Sequence, residues 1–197
     1  MIPLALYAAV ALFAVALAVI YFVFVTFLFG AGYEPTYRAA VDSMLRLAEV
    51  GPRDTVYDLG AGTGAIVFRA ARTYRARVVG VEIEPIRLAI LRVRRSLGPF
   101  RDRVELRWGN FVDVDLRPAT VVTAFLWRGA MARLQPKFET ELAPGTRVVS
   151  HVHPIPGWTP IMHDEETDVY LYRWAPDRVR SDGSGTTVPP PRAGPPG

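Results

Sequence analysis

The segment Thr55-Val56-Tyr57-Asp58-Leu59-Gly60-Ala61-Gly62-Thr63-Gly64-Ala65 constrains this chain more than any other. Its first five residues are mostly β-branched, aromatic or apolar, which reads as a short buried strand. Three alternating glycines follow, and Ala65 to Ala71 then opens a helix-like run. A strand, a glycine turn and a helix start make a nucleotide-binding corner. The glycines let the backbone approach a ligand closely, and the N–H groups of the helix start favour an anionic group there.

The rest of the chain can be placed around this corner. Ahead of it, Ala40, Val41, Met44, Leu45 and Leu47-Ala48 give a helix an apolar face, with Thr36 as its expected N-cap and Gly51-Pro52 as its stop. Arg77 to Glu84 reads as a second strand ending in acids. Pro85 starts a helix whose Ile86, Ile90, Val93 and Leu97 repeat at helical spacing and are expected to face inward. Further strands are expected at Arg103 to Trp108, Thr120 to Leu126, Thr146 to Val152 and Asp168 to Trp174. The last is expected to pair with residues around Ile161 to His163. Met131 to Leu142 reads as a helix broken or restarted near Pro136. Strands alternating with helices predict an α/β, Rossmann-like fold: a mostly parallel twisted sheet with helices on both faces. Its ligand belongs outside the carboxyl ends of the strands. Asp58 to Gly64, Glu82-Ile83, Asn110-Phe111 and Thr123 all fall there.

Two compositional features add to this. Met1 to Tyr33 carries no charged side chain, and Ile2 to Phe29 exceeds the roughly 20 residues that cross a bilayer. With no basic residue before this run and Arg38 and Arg46 after it, the sequence predicts a retained single-pass transmembrane helix with the domain facing the cytoplasm. The expected division is therefore a transmembrane helix at 1–30, a catalytic domain at 31–175 and a disordered Pro/Gly-rich tail at 176–197. Cysteine is absent, which excludes disulfides, thiolate chemistry and Cys-based zinc sites; no metal is expected. The net charge of +4 is modest, so no nucleic-acid partner is expected. Lys137 is the only lysine.

The corner fits a dinucleotide fingerprint only loosely, through Gly60, Gly62 and Ala65 with Glu82 beyond. No Gly-Lys-Ser/Thr follows, which excludes Walker-type phosphate binding. Two details favour S-adenosylmethionine. Asp58 stands where a carboxylate can meet the cationic amino group of a methionine moiety, and the Gly60, Gly62, Gly64 alternation is typical of methyltransferases. Glu82 is placed to accept from two ribose hydroxyls, and Asn110 and Phe111 to meet the adenine edge and ring. For the last two, a turn Asn and a core Phe remain the alternative.

At this point the sequence resembles the archaeal protein-lysine methyltransferases and their membrane-anchored mitochondrial relatives. The resemblance covers roughly Gly32 to Trp174. Its carriers are Tyr33-Glu34-Pro35-Thr36, Val56-Tyr57-Asp58-Leu59-Gly60-x-Gly62-x-Gly64, Val79-Gly80-Val81-Glu82 and Gly109-Asn110-Phe111. They continue through Ala119-Thr120-Val121-Val122-Thr123-x-Phe125-Leu126, Leu134-x-Pro136-Lys137 and Leu142-x-Pro144 to His151, then Gly157-Trp158-x-Pro160 and Val169 to Tyr172. Two positions depart from the family: Thr63 replaces an acid within the glycine loop, and Tyr37 replaces a proline.

The resemblance implies a class I methyltransferase fold and S-adenosyl-L-methionine as cofactor, held by Asp58, Gly60, Ala61, Gly62, Thr63, Gly64, Glu82, Ile83, Asn110 and Phe111. It implies protein substrates with accessible lysines. Tyr33, Pro35, Thr36 and Thr123 are the expected substrate-positioning residues, with Ser150, His151 and Trp158 around the rim. His151 is a candidate proton acceptor, although a structural role is open to it. A dedicated base is not required, because a nearby sulfonium and a partly dry pocket both disfavour the ammonium form of the acceptor. Two other readings stand beside this one: a methyltransferase acting on a lipid or quinone, and a non-catalytic nucleoside-binding module.

Overall fold

The computed structural model describes residues 3–28, 36–99 and 101–176. The expected loop residues Tyr33 and Pro35, and the tail beyond residue 176, lie outside the described residues.

Helix α1 spans Leu4–Leu28 and α2 spans Arg38–Leu47. Thr36 does not cap α2; the N-cap is Tyr37, with no side-chain bond to the helix. Strand β1 (Thr55–Leu59) leads through the glycines to α3 (Ala65–Thr73), and β2 (Arg77–Glu82) leads to α4 (Pro85–Leu97). Then come β3 (Val104–Trp108), β4 (Val121–Ala124), α5 (Arg128–Glu141), β5 (Arg147–His151), β6 (Met162–Asp164) and β7 (Val169–Arg173). The sheet order is β3-β2-β1-β4-β5-β7-β6; β1 to β5 run parallel and β7 antiparallel to β5. The predicted strands and the predicted partner of the last one are present. Pro136 lies inside α5 without splitting it.

The apolar side chains of β1, β2, β4 and β5 alternate between two cores. Val56, Val78, Val121 and Val149 pack with α2, α3 and α4 on one face. Tyr57, Val79, Val122 and Val148 pack with α5 on the other. A strand buried on both sides cannot show polar alternation, which is why these strands read as continuous apolar runs.

Helix α4 corrects one expectation. Ile86, Ile90, Val93 and Leu97 are exposed, whereas Leu88 and Leu91 are buried. The phase is set at the glycine loop. A Cβ on Gly64 would lie 2.6 Å from Leu91 Cδ2, so Leu91 fills the notch that this glycine leaves and α4 is rotated accordingly.

The single-pass membrane placement is also corrected. Among the described residues no helix is long and apolar enough to cross a membrane. The side chains of α1 are described from residue 5 to residue 21. At the end of that stretch the Tyr21 hydroxyl donates to Glu84 Oε1 at 2.6 Å, a polar contact with the N-cap of α4.

Candidate active site

Parallel register brings the chemistry to the carboxyl ends of the central strands. Asp58 on β1 stands opposite Thr123 on β4, and the Thr123 hydroxyl donates to Asp58 Oδ1 at 2.8 Å. Asp58 is 3% exposed and no ion pair involves it among the described residues. Burial pushes its carboxyl up to about 7, against the Thr123 hydrogen bond that lowers it; the nearby Glu82 charge adds a smaller upward push. A buried carboxylate with no cation beside it is an unfinished ion pair, and a ligand ammonium would complete it. Thr123 is itself fully buried, so its place is behind Asp58 rather than on the acceptor surface.

The glycine loop is shaped by Gly60 (φ 81°), Gly62 (φ 55°) and Gly64 (φ 89°). At Gly64 a Cβ would also come within 2.5 Å of Phe68, so this turn is closed to every other residue type. Gly60 and Ala61 donate to the Val81 carbonyl, which ties the loop to β2. Arg94 of α4 donates to the Thr63 carbonyl and lies 4.7 Å over the Phe68 ring. A side chain from outside the motif therefore holds the loop at its one unusual position.

Glu82 ends β2, buried. Oε2 accepts from Gly62 N at 2.7 Å, and Oε1 from Ile83 N at 3.0 Å and Glu84 N at 2.9 Å. Burial raises its pKa, opposed by these backbone donors and by Arg87. With about four acceptor sites on a carboxylate and three of them used, one remains for an incoming hydroxyl. Asn110 caps a short 3-10 turn, Phe111–Asp113, by accepting from Val112 N at 3.2 Å. Phe111 packs half-buried against the α5-side core.

One residue that the sequence did not single out stands beside these. Trp108 ends β3 in register with Glu82, is 69% exposed and donates from Nε1 to the Ile83 carbonyl at 3.0 Å. Its position directly before Gly109-Asn110-Phe111 was the available signal. On the far side, at the ends of β4 and β5, His151 is buried with the Phe125 ring 4.3 Å and the Tyr37 ring 5.6 Å from it. Ser150 is buried on β5. Trp158 belongs to packing: it stacks on Trp174 at 5.0 Å and donates to Glu139 Oε1 at 3.3 Å. Thr36 is half-buried just before Tyr37.

Comparison with known proteins places the chain among methyltransferases. Residues 58–162 match the model of the ANTKMT methyltransferase domain. The chain is 45% identical over 149 residues to a protein-lysine N-methyltransferase of Saccharolobus islandicus (strain REY15A), covering 71% of this chain and 91% of that one. It is 32% identical to the mouse (Mus musculus) adenine nucleotide translocase lysine N-methyltransferase, over 75% of this chain but only 62% of the mouse protein's length. Among solved structures, an RNA methyltransferase from Salinibacter ruber in complex with S-adenosyl-L-homocysteine superposes with a TM-score of 0.69. That pair is 42% identical, covering 71% of this chain and 93% of the other.

Proposed function

The chain belongs to the ANTKMT methyltransferase domain family and is an S-adenosylmethionine-dependent methyltransferase; on that premise we propose that it methylates lysine side chains of proteins. The observation that carries the acceptor assignment is the 45% identity to a protein-lysine N-methyltransferase over nine-tenths of that relative's length. The catalytic domain in this reading runs over residues 31–175.

Bound S-adenosylmethionine supplies a methyl group on a sulfonium, ready for in-line displacement by a neutral amine. The chain's own task is to bind and align. Ionised Asp58, held by Thr123, receives the ammonium of the methionine moiety. Glu82 accepts a ribose hydroxyl while bracing Gly62. The glycines Gly60, Gly62 and Gly64 would let the backbone come close to the cofactor, and Ile83, Asn110, Phe111 and Trp108 would border its adenine. The acceptor side in this reading includes Thr36 and His151, and the resemblance assigns Tyr33 and Pro35 to substrate positioning. His151 is assigned to orienting the acceptor nitrogen or taking its proton.

A second reading has one observation behind it: the Salinibacter ruber relative, 42% identical, is described as acting on RNA. One experiment separates the two. The full chain is incubated with methyl-labelled S-adenosylmethionine and, in parallel, with cell protein, cell RNA and extracted lipid. Label in protein, recovered as methyl-lysine after hydrolysis, is the expected result. Label confined to RNA or lipid refutes the lysine assignment.

A further inference from the structure

The acceptor side holds an aromatic arrangement that neither the family match nor the glycine corner accounts for. Two residues beyond Thr123, Phe125 rests its ring 4.3 Å from the buried His151 imidazole, tilted by 57°. Tyr37 also sets its ring edge-on to this imidazole, at 5.6 Å. Tyr37 is 50% exposed, and its hydroxyl donates to the Thr167 carbonyl at 3.3 Å, which fixes the ring over the β6–β7 turn. Further out, Trp127 and His153 form a second ring pair at 5.8 Å, with Trp127 52% exposed. The Asp168 carboxylate, 3.0 Å from His163 Nε2, lies at the same end, where the Asp168 carbonyl accepts from Val152 N.

We infer that Tyr37 and Phe125, the two rings set against His151, form a binding slot for an alkylammonium chain, a lysine side chain in particular, entered past Trp127 and His153. This rests on the lysine reading above and adds where the chain lies. The slot begins at Phe125, just past the end of β4 and two residues beyond Thr123, so a chain lying in it would approach the methionine end of the cofactor. Aromatic walls cover the four-methylene stem of a lysine, and their faces attract a cation. The negative rim at Asp168 suits an arriving ammonium. Because methylation leaves a larger and less hydrated cation, the same walls also retain a partly methylated side chain.

The test measures two constants on each variant of the full chain: KM for poly-L-lysine by label transfer, and Kd for S-adenosyl-L-homocysteine by calorimetry. Tyr37→Ala and Phe125→Ala are expected to raise KM about tenfold or more while Kd stays within twofold. Tyr37→Phe keeps the ring and is expected to stay near wild type in KM. Phe125→Leu, which keeps apolar volume, is expected to fold normally and still raise KM. An unchanged KM in both alanine variants overturns the slot, as does a parallel loss of cofactor affinity, or a Tyr37→Phe variant as impaired as Tyr37→Ala. Failure of the lysine reading shows separately, in the wild-type protein: no label on poly-L-lysine with label on RNA removes both that reading and the slot.

Discussion

Asp54 and Asp58, at the two ends of β1, are treated in opposite ways. At the amino ends Asp54 is surrounded by donors. Arg147 pairs with its carboxylate, Thr120 Oγ1 donates at 2.7 Å and Gly51 N at 2.8 Å. Arg147 also reaches the Ala48 and Glu49 carbonyls. At the carboxyl ends Asp58 has one hydroxyl and no cation, and its pKa is driven up to about 7. A self-neutralised cluster contributes to holding the fold together. An acid left without its counter-charge costs stability and is kept where a ligand brings the charge. The first end is scaffold and the second is site.

The largest test of that difference is to remove the uncompensated acid. Asp58→Asn is expected to weaken S-adenosyl-L-homocysteine binding about 100-fold at pH 8, the range seen when one partner of a buried charge pair is lost. Calorimetry gives the number, and affinity within threefold of wild type would place the methionine ammonium elsewhere. The same substitution should leave the free protein as stable or more so at pH 8. The sign follows from the raised pKa. Between about 4 and 7 the unfolded chain ionises this carboxyl while the folded chain keeps its proton, so rising pH favours unfolding by up to about 4 kcal/mol above pH 7. Asp58→Asn removes that contribution, so Tm should fall less between pH 5 and 8 in the variant than in the wild type.

Proton linkage gives the next effect. The ammonium needs Asp58 ionised, so below about pH 7 binding must release a proton, and Kd for S-adenosyl-L-homocysteine should rise roughly tenfold per pH unit. Thr123→Val deletes the hydrogen bond that lowers the Asp58 pKa and should move this break to higher pH. A pH-independent Kd between 5 and 8 would show that Asp58 is already ionised in the free protein.

The glycine corner and its buried strand were legible because every residue there serves the same local geometry. The acid's environment was not, since the Thr123 bond exists only once β4 lies beside β1 in this register. Helix α4 shows a second kind of limit. Its apolar residues repeat at helical spacing on two faces, Ile86-Ile90-Val93-Leu97 and Leu88-Leu91. Periodicity fixes the repeat, but the side that turns inward is settled by the notch at Gly64. The aromatic side of the site was hidden for a related reason. Tyr37, Phe125 and His151 come from three separate segments; His151 alone was singled out, and the two rings each read as an ordinary core or surface aromatic. The apolar N-terminal run read as a bilayer span by composition, which carries no record of contacts such as Tyr21 with Glu84.

At the scaffold end, Arg147→Ala should act on stability alone. It strips the cation from Asp54 but leaves the Thr120 and Gly51 donors, so a loss of about 2 kcal/mol is expected from urea unfolding. Cofactor Kd should not move. A tenfold change in Kd would mean that the two ends are coupled through β1 and would break the contrast drawn between them.

The smallest expected effect concerns Lys137. A chain with a single lysine and a lysine-accepting site invites the thought that it avoids modifying itself, with Lys137 as the one internal target besides the N-terminus. The placement of this residue argues otherwise. It lies nine residues into α5, which starts beyond the carboxyl end of β4, so it sits about 14 Å down the helix, away from the site. Its Nζ is 2.5 Å from Glu141 Oε1, and Glu141 Oε2 accepts from Leu116 N, upstream of β4 on the scaffold side of the sheet. Its side chain is only 14% exposed. After prolonged incubation with S-adenosylmethionine, mass spectrometry of the protein's own peptides should find Lys137 unmethylated, and Lys137→Arg should leave transfer to added protein within twofold. Methyl-Lys137 in a dilution series, with a yield that falls with protein concentration, would show one molecule reaching another's scaffold end; a yield independent of concentration would require α5 to unwind.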